Sequence, residues 1–125
     1  MGIIVDPAKL DIVIYQGATW RQSFQWRYGP DEESAVPLDL SAAIVRAQVR
    51  NHYQSAEPYL SLSTADDTIL ADDNGNIEIV VSAEDTADLL AVEGVWDLEV
   101  EWDDGDVCRL LMGRVVISPE VTKDA

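Results

Sequence analysis

The chain has 125 residues, with 24 acidic and 8 basic side chains, a net charge of −16 and 47% hydrophobic content. That length suits one domain, able to bury about two-thirds of its unfolded surface without staples; the single cysteine, Cys108, excludes an internal disulfide and a Cys-based zinc site. About one excess negative charge per 400 Å² of folded surface disfavours nucleic-acid phosphate as a partner.

No stretch is apolar enough to cross a membrane as a helix, and no signal-peptide pattern is visible. Met1-Gly2 does not complete a myristoylation motif, because Asp6 stands where Ser or Thr is needed.

Residues 1–9 read as an N-terminal arm. Ile3, Ile4 and Val5 form an apolar run before Pro7. Such a run suits pairing with a neighbour's sheet edge, and equally a short first strand. Leu10 to Tyr15 alternates as a strand, and Gln16-Gly17 turns it. Ala18 to Tyr28 is a stronger strand. Trp20, Gln22, Phe24, Trp26 and Tyr28 share one face; Arg21, Ser23, Gln25 and Arg27 share the other. Aromatics interleaved with arginines can bind single strands. Here they fall on opposite faces, which predicts core aromatics and a solvated polar face.

Residues 29–37 form an acidic loop carrying Asp31, Glu32 and Glu33 between two prolines, suited to a mobile tip. Ala43 to Arg50 is a strand with Val45, Ala47 and Val49 inward and Arg46, Gln48 and Arg50 outward. Residues 51–58 connect onward and hold the only histidine, His52, expected to be exposed. Tyr59 to Ser63 is a strand with Leu60 and Leu62 inward. A turn over 64–67 leads to a brief strand at 68–70.

Asn74-Gly75 is a strong hairpin signal. Counted from Asp72, a calcium loop would need glycine at position six and an acid at twelve; Ile77 and Ala83 stand there. The stretch predicts a turn with no metal. Asn76 to Val81 is a strand with Ile77, Ile79 and Val81 inward. Ser82 caps a helix over 83–91, with Glu84 and Asp85 in its first turn where the helix dipole favours acids. Ala87 and Leu90 are expected on its buried side, plugging one open end of the fold.

Gly94 to Ile117 is the longest hairpin. Trp96, Leu98, Val100 and Trp102 share one face; Asp97, Glu99, Glu101 and Asp103 share the other. Facing Trp102 with Asp106 keeps both faces pure and puts Gly105 in the left-handed conformation of a three-residue loop. The same register pairs Val100 with Cys108, Glu99 with Arg109, Leu98 with Leu110 and Trp96 with Met112. Cys108 then faces inward as an inert thiol. The carboxylates keep the outer face soluble and unpaired. Ser118-Pro119 ends the strand, and residues 119–125, including Glu120 and Val121, form a polar tail.

Seven or eight strands, turns every eight to twelve residues and one short helix predict an all-β fold, an antiparallel β-sandwich over residues 10–118. No glycine-rich phosphate loop or nucleophile elbow is present. The abundant carboxylates form no distinctive pair. The chain is therefore expected to be non-enzymatic, with no catalytic residues, no cofactor and no metal.

Several motifs, in order, carry a resemblance: Tyr15-Gln16-Gly17-Ala18-Thr19-Trp20, Pro37 to Ala43, Arg46 to Arg50, Gly75 to Ile79, Ser82 to Ala87, Trp96 to Val100, Arg109 to Val115, and Ser118 to Thr122. Together they resemble the small immunoglobulin-like β-sandwich structural proteins of tailed phages and prophages. The plan is similar to the N-terminal domains of baseplate and fibre-attachment proteins. The resemblance covers about residues 10–122 and carries no catalytic residues.

It implies an immunoglobulin-like sandwich in the virion, made in the bacterial host cytoplasm. It also implies an adaptor at the tail or tail-fibre junction, in multiple symmetric copies. Partners would be other virion proteins (tail, neck, fibre or capsid), with no nucleic acid and no membrane. The docking parts expected are Ile3, Ile4 and Val5 of the arm, Asp31, Glu32 and Glu33 of the loop, and Glu120 and Val121 of the tail. A capsid decoration protein and an acidic DNA mimic are the alternatives.

Overall fold

The computed structural model describes residues 7–90 and 93–123. Ile3, Ile4 and Val5 lie outside the described residues. The strands are β1 (Ala8–Lys9), β2 (Ile12–Tyr15), β3 (Trp20–Gln25), β4 (Arg27–Tyr28), β5 (Val36–Pro37), β6 (Ile44–Arg50), β7 (Leu60–Ser63), β8 (Ile69–Ala71), β9 (Asn76–Val81), β10 (Glu93–Glu101) and β11 (Val107–Ser118); the helix α1 is Ala83–Ala87.

The larger sheet runs β7-β6-β10-β11, and the far edge of β11 carries β1 and β2. The smaller sheet runs β3-β9-β8, and β4-β5 is a separate ribbon. The two sheets face each other across one apolar core. This strand order makes an immunoglobulin-like β-sandwich. One edge is parallel rather than antiparallel. Ala8 pairs with Leu111 and Ile12 with Val115 at one constant offset, so β1 and β2 are a single strand broken at Leu10-Asp11. Among the described residues, the first and last strands run side by side in the same direction, and the sheet is mixed.

Alternation sets the core. Trp96, Leu98, Val100 and Trp102 are all buried, as are Val45, Ala47 and Val49 from β6 and Ile77, Ile79 and Val81 from β9. Trp20 from the smaller sheet meets Trp96 from the larger edge-to-face, with centroids 6.5 Å apart and planes at 84°. This is a favoured aromatic arrangement.

The main hairpin keeps its expected turn. Trp102 N–H donates to Asp106 O at 2.8 Å, and Gly105 has φ +92°. Val100 faces Cys108 and Glu99 faces Arg109, but the register then shifts. Leu98 faces Leu111, and Trp96 faces Gly113. Leu110 is the extra residue of a β-bulge. Leu110 and Leu111 are consequently both buried, where simple alternation would expose one.

The shift places Gly113, which has no side chain, beside Trp96. A Cβ on Gly113 would stand 2.0 Å from the Leu10 carbonyl oxygen. That carbonyl accepts the Trp96 indole N–H at 2.8 Å, and Leu10 N–H donates to Met112 O at 2.9 Å. The hole at Gly113 thus lets the first strand dock and gives a buried indole its acceptor.

The strand expected over 18–28 stops at Gln25. Trp26 donates its N–H to Gly75 O at 2.8 Å and accepts from Leu38 N–H at 3.0 Å, stitching the β8-β9 turn to the start of residue 38 onward. Residues 27–37 then fold back as the β4-β5 ribbon, which leaves Tyr28 46% exposed.

Helix α1 is shorter than expected and turned differently. Ser82 caps it, its hydroxyl accepting from Asp85 N–H at 3.1 Å. Thr86 and Leu89 are buried, whereas Leu90 is 63% exposed and Ala87 is exposed. A hydroxyl decides the rotation. Thr86 Oγ1 accepts from Gly17 N–H at 3.1 Å and donates to Ala18 O at 2.8 Å. Thr86→Val keeps the shape but strands both backbone groups. It is expected to cost about 2 kcal/mol by urea denaturation; a loss below about 0.5 kcal/mol would show that water replaces the hydroxyl.

Candidate docking surfaces

The outer face of the larger sheet is built by the period-2 pattern of β6, β10 and β11. Arg46 and Arg50 project from β6, Asp97, Glu99 and Glu101 from β10, and Arg109 from β11. Arg46 Nε lies 3.2 Å from Glu99 and its Nη1 2.9 Å from Glu101. Arg109 Nε reaches Asp97 at 3.4 Å, two residues along from its backbone partner Glu99. Arg50 donates to Gln48 Oε1 at 2.7 Å and to Ser55 O at 2.6 Å. Three arginines face three carboxylates, so this face is electrically balanced in a chain of net charge −16.

Burial alone would lower the Arg46 pKa; its hydrogen bonds to Glu101 and Glu99 overcome that and raise it. Asp97 is the strained member. Burial, then the neighbouring Glu99 charge, push its carboxyl above the usual range, against the pull of Arg109, Arg50 and Arg46. It borders a shallow depression of about 320 Å³ lined also by Gln48, Arg50, Tyr53 and Met112. Tyr53 is 75% exposed over it.

A carboxyl with a raised folded-state pKa stabilises the fold as pH falls through that pKa, and this contribution is lost as pH rises. Asp97→Asn is therefore expected to raise stability at pH 7 slightly, by about 0.5 kcal/mol or less for a group this exposed. The gain over wild type should shrink as pH falls toward 4, measured by urea midpoints across that range. A variant less stable than wild type at every pH would show that the Arg109 contact outweighs burial.

The structure does not bring the expected docking residues together. Asp31, Glu32 and Glu33 sit on the exposed β4-β5 turn, at the end of the sandwich shared with the 72–75 and 103–106 turns. Asp31 Oδ1 accepts from Ser34 N–H at 2.8 Å and from Ser34 Oγ at 2.7 Å. These bonds shape the turn and hold the Asp31 carboxyl below its usual pKa. Glu120 and Val121 lie at the opposite end, beside α1. Glu120 N–H donates to Gln16 Oε1 at 2.9 Å, and Gln16 Nε2 donates to Leu89 O at 2.8 Å. Glu120 is half-buried in this network, whereas Val121 is 95% exposed.

Other sequence candidates resolve into structural parts. Asp72 accepts from the N–H groups of Asn74 and Asn76 and from the Asn76 amide, each at 2.9 Å, so its carboxylate organises the β8-β9 turn. His52 lies exposed in its loop, with Nδ1 accepting from Gln54 N–H at 3.2 Å. Cys108 faces inward, half-buried, and burial raises its pKa. A raised thiol pKa means little thiolate and low reactivity. No helix among the described residues is long and apolar enough to cross a membrane.

The alternating charges on β6 and β10 were visible in the sequence. Their mutual pairing was not, because it needs β6 to lie beside β10, about 50 residues away in the chain.

No family model matches the chain, and no curated protein matches it. Among solved structures, the chain is similar to the first Ig-like domain of human CD48 antigen, at 10% identity and a TM-score of 0.38, over 99% of this chain and 93% of that one. It is also similar to extracellular domains 3–5 of Drosophila OTK, at 11% identity and a TM-score of 0.34, over 86% of this chain and 32% of that one. Likenesses this distant assign no function.

Proposed function

We propose that the protein is a non-enzymatic docking module of a tailed-phage virion, an adaptor at the tail or tail-fibre junction. The phage assignment rests on the ordered motifs from Tyr15 to Thr122 and their resemblance to phage sandwich proteins. The docking role rests on one observation: the balanced outer face of β6, β10 and β11, where a partner can approach without meeting the repulsion of the acidic remainder. Arg46 and Arg109 pair with three carboxylates there, which breaks up the acidic row of β10 and weighs against its use as a DNA mimic.

Mass spectrometry of purified particles should find the chain in stoichiometric amounts, and cryo-electron microscopy should place it at the tail. Density on the capsid shell would favour the decoration reading, and absence from particles would end the virion reading. Arg46→Glu should lower incorporation, because it sets like charges against Glu99 and Glu101.

A further inference from the structure

Sheet edges are where chains add strands, and proteins guard them with brevity, breaks, charge or proline. Three of the edges here are guarded. Strand β7 has four residues and β8 has three. The β1-β2 edge carries Lys9 and is broken at Leu10-Asp11, where Asp11 Oδ1 takes the Arg114 N–H at 2.9 Å.

Strand β3 is different. Its six residues, WRQSFQ, run unbroken with no proline and a single charge, Arg21, and among the described residues only β9 pairs with it. The ladder's parity is set by two bonds. Trp26 N–H points to Gly75 O, and Val80 N–H points away to Thr68 O beside β8. In register with Val81, Ile79 and Ile77, the Trp20, Gln22 and Phe24 backbones therefore face β9. The N–H and C=O groups of Arg21, Ser23 and Gln25 face outward, and all three residues are exposed. On the core side, Gln22 and Phe24 stay half-buried because no strand covers them.

Charge narrows the occupant. The N-terminal end of β3 is tied to α1 through Ala18 and Thr86, beside Glu84 and Asp85. Its C-terminal end leads into the ribbon bearing Asp31, Glu32 and Glu33. Acids outnumber bases at both ends of the edge, where Arg21 and Arg27 are the bases, and a second copy would bring its own charge of −16. We propose that β3 accepts, as a fourth strand of the smaller sheet, an extended segment of a different protein, with apolar residues at alternate positions and lysine or arginine at both ends. Strand addition supplies affinity through main-chain bonds and specificity through alternate side chains. This surface is separate from the balanced face, and two separate surfaces are what an adaptor requires; the inference deepens the docking reading.

The test uses the full chain and a synthetic peptide with an alternating Thr-Val core between lysine pairs. Peptide should slow amide exchange at Arg21, Ser23 and Gln25 about tenfold or more. Ser23→Pro removes an outward donor, a substitution edge strands tolerate. It should weaken binding about tenfold or more, and glutamate in place of the flanking lysines should do likewise.

Absence of protection at those three amides in the wild-type protein overturns the proposal, whether or not the proline variant folds. So does a folded Ser23→Pro protein that binds equally. Protection that appears only after removing residues 1–6 would make the chain's own N-terminus the occupant, and a β3-mediated dimer in ultracentrifugation would make it a second copy; either overturns it. Particle mass spectrometry decides the virion reading separately, since peptide binding does not depend on it.

Discussion

Trp96→Ala should lower the unfolding free energy by about 4 kcal/mol, within the usual range for truncating a buried aromatic. Three losses combine at this position. The indole is 3% exposed, so its removal opens a cavity between the sheets. Trp20 loses its edge-to-face partner, worth about 1 kcal/mol beyond the area buried. The Leu10 carbonyl, at the break in the first strand, loses its donor. Domains of this size have roughly 5–15 kcal/mol in total, so the variant should be marginal. Far-UV circular dichroism against urea measures the loss. Trp96→Phe separates the terms: it keeps a ring but not the N–H, and about half the loss should remain. A Trp96→Ala loss under about 1 kcal/mol would show that the sandwich does not depend on this cross-sheet contact.

Gly75→Ala should cost about 3 kcal/mol, and Gly105→Ala only about 1. Both glycines are left-handed, with φ +75° and +92°. Alanine pays the same conformational penalty at each. The surroundings differ. Around Gly105 no atom lies within 4 Å of the added Cβ. At Gly75 that Cβ would stand 2.2 Å from the Trp26 carbonyl oxygen and 3.0 Å from Leu38 N. Those two atoms form the hydrogen bond that joins the residue after β3 to Leu38, beside the bond from Trp26 N–H to Gly75 O. Moving either opens the corner of the smaller sheet. Urea midpoints of the two variants, measured together, check the difference. Equal losses would mean that the Trp26 backbone yields freely and that only the turn conformation matters.

The core of the fold was legible along each strand. Trp96 to Trp102, Val45 to Val49 and Ile77 to Val81 bury the faces their alternation predicts, and Ser82 caps the helix as its position suggests. The miss in the main hairpin came from Leu110. Two adjacent leucines satisfy either a bulge or a plain ladder, and only the packing of Leu111 and the docking of Leu10 over Gly113 select the bulge. The helix misled for a similar reason. Ala87 and Leu90 look more apolar than Thr86, yet Thr86 alone could reach both Gly17 and Ala18.

By itself the sequence determined what depends on near neighbours: which face of each strand turns from water, where Gly75 and Gly105 turn the chain, and that acids dominate the surface. Residue type and spacing along the backbone are enough for these, because side-chain direction in a strand repeats every two residues. The tertiary structure alone decided the parallel first strand, the pairing of Arg46 and Arg109 with the β10 carboxylates, the separation of Asp31 from Glu120, and the open edge of β3. Each is a relation between segments distant in the chain, set by which strand lies beside which, and no local preference encodes that.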